Sequence, residues 1–327
     1  MTMCIALLST AHPDYPLVLL SNRDEFLDRP TAPAHWWEAP QDHVLGGRDL
    51  QRREQGTWLG ITKDGRIAIL TNFREEGQEI ARDKSRGAIV GAYLNHPPGE
   101  AETEDDFAKR LLQEVGIHDV GGFSLVFGSL RPSSDGSMRG LSILSNRTTD
   151  LSNLTQIAAR PGEVQGLSNS HFGDITWPKI VYGEQLLRQA VDSSVARQDS
   201  KERFVASLFD ILSVNTFPKL PKGEDFQVYS RQMRNSIFIP RVGGKGVEGE
   251  DSDYLRSVSE NGDNGHAGVE VGGDVGGYGT QKQTVVLVHR TGKVTFIERT
   301  LYDEKTRKVD ASKNERKFEF QVEPWSG

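Results

Sequence analysis

Cysteine is nearly absent from this sequence: Cys4 is the only one among 327 residues. A single thiol excludes an internal disulfide and any metal site built from several thiolates. No apolar run approaches the roughly 18 residues that a membrane-spanning helix needs, so we expect no membrane span. The amino-terminal stretch MTMCIALLSTAHPDYP has no basic region and only a short apolar run, which argues against a secretion signal. These features predict a soluble, cytoplasmic protein.

Positive charge is also scarce. The 39 Lys and Arg residues are outnumbered by 46 Asp and Glu residues, which gives a formal net charge of −7. Nucleic acids and anionic membranes bind basic surfaces, so this balance argues against nucleic acid as a partner. Apolar residues make up 36% of the chain, which is enough to form a core. The length suits one large domain or two small ones.

Apolar runs separated by turn signals predict several strands joined as antiparallel hairpins. Asp64-Gly65 and Thr291-Gly292 each supply the chemistry of a tight turn between two such runs. The predicted strands lie in MCIALLS, PLVLLSN, GTWLGIT, RIAILTNF, GFSLVFGSL, RGLSILSN, QTVVLVHRTGKVTFIER and RKFEFQVEP. Helical periodicity occurs in EDDFAKRLLQEV, WPKIVYGEQLLRQAV and KERFVASLFDILS. Helices grouped between hairpins predict a layered α+β domain.

The stretch from residue 243 to residue 277 differs from the rest of the chain in composition. It is dense in Gly, Asp, Glu and Ser and contains few residues that form cores. Such a segment cannot bury enough apolar surface to offset the entropy lost on ordering. We therefore predict a disordered insertion at residues 243–277.

Four polar residues, Asn22, Arg23, Asp24 and Glu25, directly follow the apolar run LVLLS. One interpretation is a charged strand exit, in which Arg23 pairs with a nearby carboxylate. The other is a pocket, because charges next to a buried strand need partners or a ligand. Antiparallel pairing of the first two strands would bring Asp24 to within roughly 10 Å of Cys4.

Cys4 itself has two interpretations. Most free cysteines are small core hydrophobes. As a nucleophile Cys4 would need a base, and an amino-terminal cysteine can use its own α-amino group. Removal of Met1 would leave Thr2 first, whereas translation from Met3 followed by removal of that Met would expose Cys4. Both interpretations stay open.

The motifs MCI, NRDEF, QGTWLGI, LTNFRE and GLSNSHFGDITWPK together resemble the NRDE family, also called the transport and Golgi organisation family. The resemblance begins at Met3 and runs through the last predicted strand. It implies one domain over residues 1–327 with a four-layer αββα fold of the N-terminal-nucleophile hydrolase type. It also implies a role in Golgi organisation and protein secretion through handling of haem or a lipid or acyl ligand. The expected location is the cytoplasm, in association with the Golgi or mitochondria.

The same resemblance suggests catalytic residues. Cys4 matches the position of a nucleophile, and Arg23 and Asp24 resemble the residues beside the thiol in cysteine acylases of that fold. Asn72 and Asn169 are similar to the amides that complete an oxyanion hole and bind substrate. An Asn at a strand end that bonds its own turn is the alternative for each.

Ligand binding adds further candidates to Arg23 and the two amides. Lys282 follows Gln281, which stands where the resembled family has arginine. Asn22 is a ligand-binding candidate, with a turn role as the alternative. Trp58, like the pair Trp36-Trp37, either packs or covers a flat or greasy ligand.

Three classes of function stay open: a carrier of hydrophobic cargo, a cysteine amidohydrolase or acyltransferase that uses Cys4, and a scaffold. We expect no metal site, and haem enters only as cargo. No CxxCH motif supports haem attachment, and exposed positions are expected for the amino-terminal histidines His12, His35 and His43.

Overall fold

Two antiparallel sheets form the centre of the computed structural model. It describes residues 4–73, 85–97, 102–115, 117, 120–131, 139–151, 154–218, 231–242 and 277–323. The strands are β1 (Ile5–Ser9), β2 (Leu17–Phe26), β3 (Thr31–Trp36), β4 (Val44–Asp49), β5 (Leu59–Thr62), β6 (Arg66–Asn72), β7 (Phe123–Ser129), β8 (Leu141–Ser145), β9 (Thr155–Ile157), β10 (Val164–Leu167), β11 (Tyr278–Val288), β12 (Lys293–Thr300) and β13 (Glu315–Gln321). The helices are α1 (Arg86–Leu94), α2 (Glu104–Arg110), α3 (Pro178–Arg197) and α4 (Lys201–Leu212).

Within these ranges the first sheet has the strand order β10-β1-β2-β11-β12-β13, and the second runs in sequence order from β3 to β9. A π-helical turn at Leu111–Val115 follows α2, and a 3-10 turn lies at Met233–Asn235. β2 is thus a central strand, paired on both edges. The predicted hairpins are confirmed as β1–β2, β5–β6 and β11–β12.

Alternation along the strands builds the four layers. Residues of β1 and β2 that pack between the two sheets alternate with residues that pack against the helices. The first set is Ala6, Leu8, Leu17 and Leu19. The second set, which packs on α3 and α4, is Ile5, Leu7, Val18 and Leu20. α1 and α2 cover the outer face of the second sheet. The predicted αββα arrangement is therefore confirmed.

The first turn of α3 brings a lysine into the interior. α3 begins at Pro178, whose fixed φ and missing N–H suit the first helical position. Lys179 follows it and is fully buried. The helix lies close on the sheet because Gly183 has no side chain: a Cβ atom there would come within 2.9 Å of the Leu7 side chain.

Residues 243–276 of the predicted insertion lie outside the described residues. The last residue of the prediction, Gly277, is described: its carbonyl oxygen accepts a 2.8 Å hydrogen bond from the N–H of Leu27. Val242 and Tyr278, on either side, exchange two backbone hydrogen bonds of 2.8 and 2.9 Å. Val242 and Tyr278, the residues that flank the predicted insertion and Gly277, therefore lie next to each other.

In the part of the chain that the structure describes, no helix combines the length and the apolar character that crossing a bilayer requires.

Candidate functional site

The polar residues from Asn22 to Glu25 lie inside β2, and all four are buried. The predicted strand exit is wrong, because β2 continues to Phe26 and pairs there with β11. Arg23 faces Lys282 across this pair and Asp24 faces Thr280, with a bulge between Thr280 and Lys282. The partner strand lies more than two hundred residues further along the sequence, so nothing local to NRDE indicates it.

Cys4 lies beside Asp24, as its predicted position required. The Sγ–H of Cys4 donates to the backbone carbonyl oxygen of Asp24 at 4.0 Å. Ser168 donates its hydroxyl to the carbonyl oxygen of Cys4 at 2.7 Å. Burial raises the pKa of the Cys4 thiol to about 12, the charge of Asp24 adds to this, and Arg23 opposes it. The thiol is therefore neutral at physiological pH.

Three groups hold the guanidinium of Arg23. Its Nη1 donates to Oε1 of Gln281, and its Nη2 lies 3.7 Å from Oε2 of Glu25. Its central carbon lies 4.4 Å from the ring centre of Trp58, a cation–π distance. Gln281, which stands at the position of an arginine in the resembled family, thus serves as an acceptor for Arg23. The structure brings the predicted residues Arg23 and Trp58 together.

Asp24 has one satisfied and one unsatisfied oxygen. Thr280 donates its hydroxyl to Oδ1 at 2.6 Å, whereas Oδ2 is buried and has no hydrogen-bond partner. Burial raises the pKa of Asp24 to about 7, and the charge of Lys179 is the largest opposing influence. Burial likewise lowers the pKa of Lys179, while Asp24 and then Cys4 raise it. Sequence analysis missed Lys179, and its position directly after the helix-starting Pro178 was the available signal.

Asn22 does not take its predicted turn role, because it lies inside β2. Its Nδ2 group donates to the carbonyl oxygen of Leu212 at 2.8 Å and to that of Ile237 at 2.9 Å. These bonds tie β2 to the end of α4 and to the segment that follows the 3-10 turn. Asn22 shares the helix-facing side of β2 with Val18 and Leu20, and its place among the ligand-binding candidates stays a prediction.

Asn72 and Asn169, the two residues predicted to supply amides, lie in contact. Nδ2 of Asn169 donates to the backbone carbonyl oxygen of Asn72. The hydroxyl of Ser168, which also contacts Cys4, lies 3.2 Å from Oδ1 of Asn169. A chain of contacts thus joins Cys4 to the side-chain amide of Asn169 and to the backbone of Asn72 across the gap between the sheets.

Lys282 is buried, and a carboxyl group that sequence analysis missed lies within electrostatic reach. Nζ of Lys282 donates to the Thr300 hydroxyl at 2.7 Å. Burial lowers the pKa of Lys282, while Glu298 raises it. Glu298 accepts a 2.7 Å bond from the N–H of Ala34, and burial raises its pKa. A ligand that contacts Nζ of Lys282, as predicted, would therefore compete with the Thr300 hydroxyl and the Glu298 carboxyl group for that ammonium.

The tryptophan pair and the histidines lie elsewhere in the fold. Trp37 is buried, and its Nε1 donates to the carbonyl oxygen of Gly46 at 3.1 Å. His12 and His43 are buried, which corrects the expectation of exposed rings; His35 is half-buried. Within the described ranges, no group of three or more His, Cys, Asp or Glu residues could hold a metal ion.

Comparison with known proteins gives a match over most of the chain. A family model described as Transport and Golgi organisation 2 matches residues 3–303. The Transport and Golgi organization protein 2 homolog of Homo sapiens is 30% identical, over 88% of this chain and 88% of its own. An uncharacterized protein of Saccharomyces cerevisiae is 28% identical, over 98% of this chain and 100% of its own. Among solved structures, a Caenorhabditis elegans N-acylethanolamine-hydrolyzing acid amidase ortholog aligns with 65% of this chain and 87% of its own, with 11% identity and a TM-score of 0.37.

Proposed function

Because the chain belongs to the Transport and Golgi organisation 2 family, we propose that it acts in Golgi organisation and protein secretion by binding a lipid or acyl ligand between its two sheets. The proposed pocket lies at the end of the inter-sheet core that carries Cys4, Arg23, Asn72 and Asn169. Haem is the second cargo that this position suits, since its carboxylates would meet the same cation.

The observation that carries the proposal is the buried guanidinium of Arg23 on the ring of Trp58. The inter-sheet face of β2 is apolar at Leu17 and Leu19 and becomes cationic at Arg23. An amphiphilic ligand matches this sequence of surfaces, with its chain along the leucines and its head at the cation. The planar guanidinium offers directed donors to a carbonyl or carboxylate oxygen, which an ammonium cannot imitate.

The test is a titration of the purified protein with dodecanamide and with dodecanoate, which share one chain and differ in the head. We expect Arg23→Lys to weaken both by roughly ten- to a hundredfold, since a charge-assisted contact contributes about 1.5–3 kcal/mol. Arg299→Lys is the matched control, because Arg299 also stacks on an aromatic ring, Phe209 at 3.7 Å, and pairs with Glu315 at 2.9 Å.

The carrier proposal fails if neither acyl probe binds and haem, followed by its visible absorbance, does not bind either. It also fails if Arg23→Lys and Arg299→Lys lower the melting temperature alike and leave affinity unchanged. That result would make Arg23 a structural clasp between Glu25 and Gln281, and it would favour the scaffold class.

A second candidate is a cysteine amidohydrolase or acyltransferase, favoured by the Oδ2 of Asp24, which has no partner among the described residues and whose carboxyl group acts electrostatically on the Cys4 thiol. In a chain that began at Cys4, this oxygen could accept a hydrogen bond from the α-amino group. The amine would take the thiol proton as sulfur attacks the substrate carbonyl, and would pass it to the nitrogen that leaves as the C–N bond breaks. Water would then hydrolyse the thioester. Intact-mass analysis of the mature protein decides: a first residue of Thr2 counts against this candidate, and a first residue of Cys4 favours it.

A further inference from the structure

The second sheet carries a buried hydroxyl that no group of the described residues satisfies. Oγ1 of Thr71 has no hydrogen-bond partner, and the residue is only 3% exposed. Nearly all buried polar side chains in folded proteins are hydrogen-bonded, because leaving one unpaired costs free energy. An unpaired hydroxyl beside a proposed pocket is therefore a candidate contact for the ligand.

Thr71 faces the space between the sheets. Ile67 and Ile69, which precede it at two-residue spacing on β6, belong to the inter-sheet core. Successive side chains of a strand alternate, so Thr71 shares their face. The next residue, Asn72, is the one whose carbonyl oxygen accepts from Asn169. The hydroxyl thus lies on the pocket side, directly before the amide pair.

A second hydroxyl lies next to the same place. Thr71 pairs with Ser124 across β6 and β7, and Ser124 donates to the carbonyl oxygen of Ser170 at 3.4 Å. Oγ of Ser170 is buried, with the residue 8% exposed, and among the described residues its nearest acceptor is the Asp174 carboxylate, which it meets only in a loose contact outside ordinary hydrogen-bond geometry. Its hydroxyl is nevertheless close enough to Asp174 to contribute to a lowered pKa there: burial raises that pKa, but hydrogen bonds from Thr176, the charge of His171 and the Ser170 hydroxyl bring it down.

The hydroxyls differ in chemistry from the opposite wall of the pocket. The first sheet presents charged groups, Arg23 and Lys282, whereas Thr71, Ser124 and Ser170 are neutral, and Ser170 has the carboxylate of Asp174 as a neighbour. A ligand head that donates as well as accepts hydrogen bonds suits this neutral wall. A carboxylate head offers acceptors only, and here it would approach another anion.

We infer that Thr71 and Ser170 form a neutral subsite that binds a hydroxyl or amide group of the ligand, so that the preferred ligand is an acyl amide or a long-chain alcohol instead of a free acid. This inference rests on the proposed function. Arg23 takes an oxygen of the head from the first sheet. Thr71 exchanges a hydrogen bond with the N–H or O–H of the head from the second sheet, and Ser170 does so from the segment that follows β10.

The experiment measures the affinities of dodecanamide, dodecanol and dodecanoate for the full chain and for Thr71→Val and Ser170→Ala. We expect the parent protein to prefer the amide and the alcohol. Each substitution should weaken these two by roughly three- to tenfold, as expected for one neutral hydrogen bond, and leave dodecanoate unchanged. Thr71→Val should leave the melting temperature of the ligand-free protein unchanged or raise it, because it removes an unpaired hydroxyl without changing the shape.

Thr62→Val is the matched control, since its buried Oγ1 accepts a 2.9 Å bond from the N–H of Arg66. It should lower the melting temperature and leave dodecanamide affinity unchanged. The subsite is overturned if Thr71→Val behaves like this control, or if both pocket variants weaken all three probes equally or none of them. If the probes still bind to Thr71→Val and to Ser170→Ala with unchanged affinity, the subsite is overturned and the carrier proposal stands. If no probe binds to the parent protein, the subsite and the carrier proposal are both overturned.

Discussion

The thiol of Cys4 donates to the backbone carbonyl oxygen of Asp24, the residue whose own carboxyl group is the most deeply buried acid in β2. Burial favours the uncharged form of each group: it raises the pKa of Cys4 to about 12 and the pKa of Asp24 to about 7. The pair is therefore neutral over much of the acidic and neutral pH range.

The first prediction is that iodoacetamide alkylates Cys4 slowly in the native protein. The thiolate is the reactive form, and a rise in pKa from 9.0 to about 12 reduces its fraction roughly a thousandfold at pH 8. The rate should increase about tenfold per pH unit as long as the protein stays folded. Timed intact-mass measurements give the rate directly, because Cys4 is the only cysteine. Equal rates in buffer and in concentrated urea would contradict this.

The second prediction concerns Asp24→Asn. The folded pKa of Asp24, about 7, exceeds the ordinary value of 3.8. Between these pH values the native state holds a proton that the unfolded chain has released, so stability falls as pH rises through this window. Asp24→Asn cannot titrate, and its advantage over the parent should grow by about 3 kcal/mol from pH 4 to pH 7.

Urea unfolding at several pH values between 4.5 and 8 measures this difference. Asp310→Asn is the control: hydrogen bonds to Ser312 lower the pKa of Asp310, so its contribution is lost only as pH falls below the ordinary value. Its curve should parallel that of the parent throughout the window. A curve for Asp24→Asn that also stays parallel would show that the Asp24 carboxyl group is charged in the folded protein.

The third prediction is that Asn22→Ala reduces stability without changing ligand affinity. The substitution leaves the carbonyl oxygens of Leu212 and Ile237 without the Nδ2 donor, which should cost about 2–4 kcal/mol of unfolding free energy. Asn314→Ala, which removes an exposed bond to the carbonyl oxygen of Asp310, should cost much less. If Asn22→Ala weakens dodecanamide binding in a protein that is still folded, Asn22 belongs to the pocket after all.

The fourth prediction is that residues 243–276 can be replaced by a short Asn-Gly linker. Val242 and Tyr278 already form an antiparallel bridge, so a tight connection fits between them. Gly277 must be kept, because its φ is +91° and its carbonyl oxygen accepts from Leu27. Shortening the loop should stabilise the fold by about 2 kcal/mol in loop entropy, seen as an unchanged or raised melting temperature. A large drop would show that the segment takes part in the fold.

Features fixed by neighbouring residues could be predicted from the sequence. The turn residues Gly65 and Gly292 both have positive φ, +90° and +81°, as the predicted hairpins require. The periodicity of α3 and α4 was equally local. In contrast, α1 was not predicted, because RGAIVGAYL contains two glycines and lacks a polar face. β3 was missed because Pro33 interrupts its pattern, and an edge strand tolerates it.

The candidate site could be predicted only in part, for a related reason. Strand pairing of β1 with β2 is local, and it placed Cys4 beside Asp24. The partners that keep charges inside β2, namely Gln281 and Thr280, arrive from β11. Polar residues after an apolar run ordinarily mark a strand end, and only that distant strand makes a buried alternative possible. Glu298 stands alone in an otherwise regular strand pattern, so no spacing distinguished it, and the only signal for Lys179 was its position directly after Pro178.

The alternation of side chains along β2 has a mechanical consequence. Arg23 reaches the inter-sheet space, while Asn22, one peptide bond away, grips the carbonyl groups of Leu212 and Ile237 in the outer layer. A ligand that displaces the backbone at Arg23 by a fraction of an ångström would also move Asn22 and the two carbonyl groups that are hydrogen-bonded to it. The position of the end of α4 would then depend on whether a ligand is bound, although α4 does not contact that ligand. A partner that binds the outer surface could therefore have different affinities for the ligand-bound and the ligand-free protein.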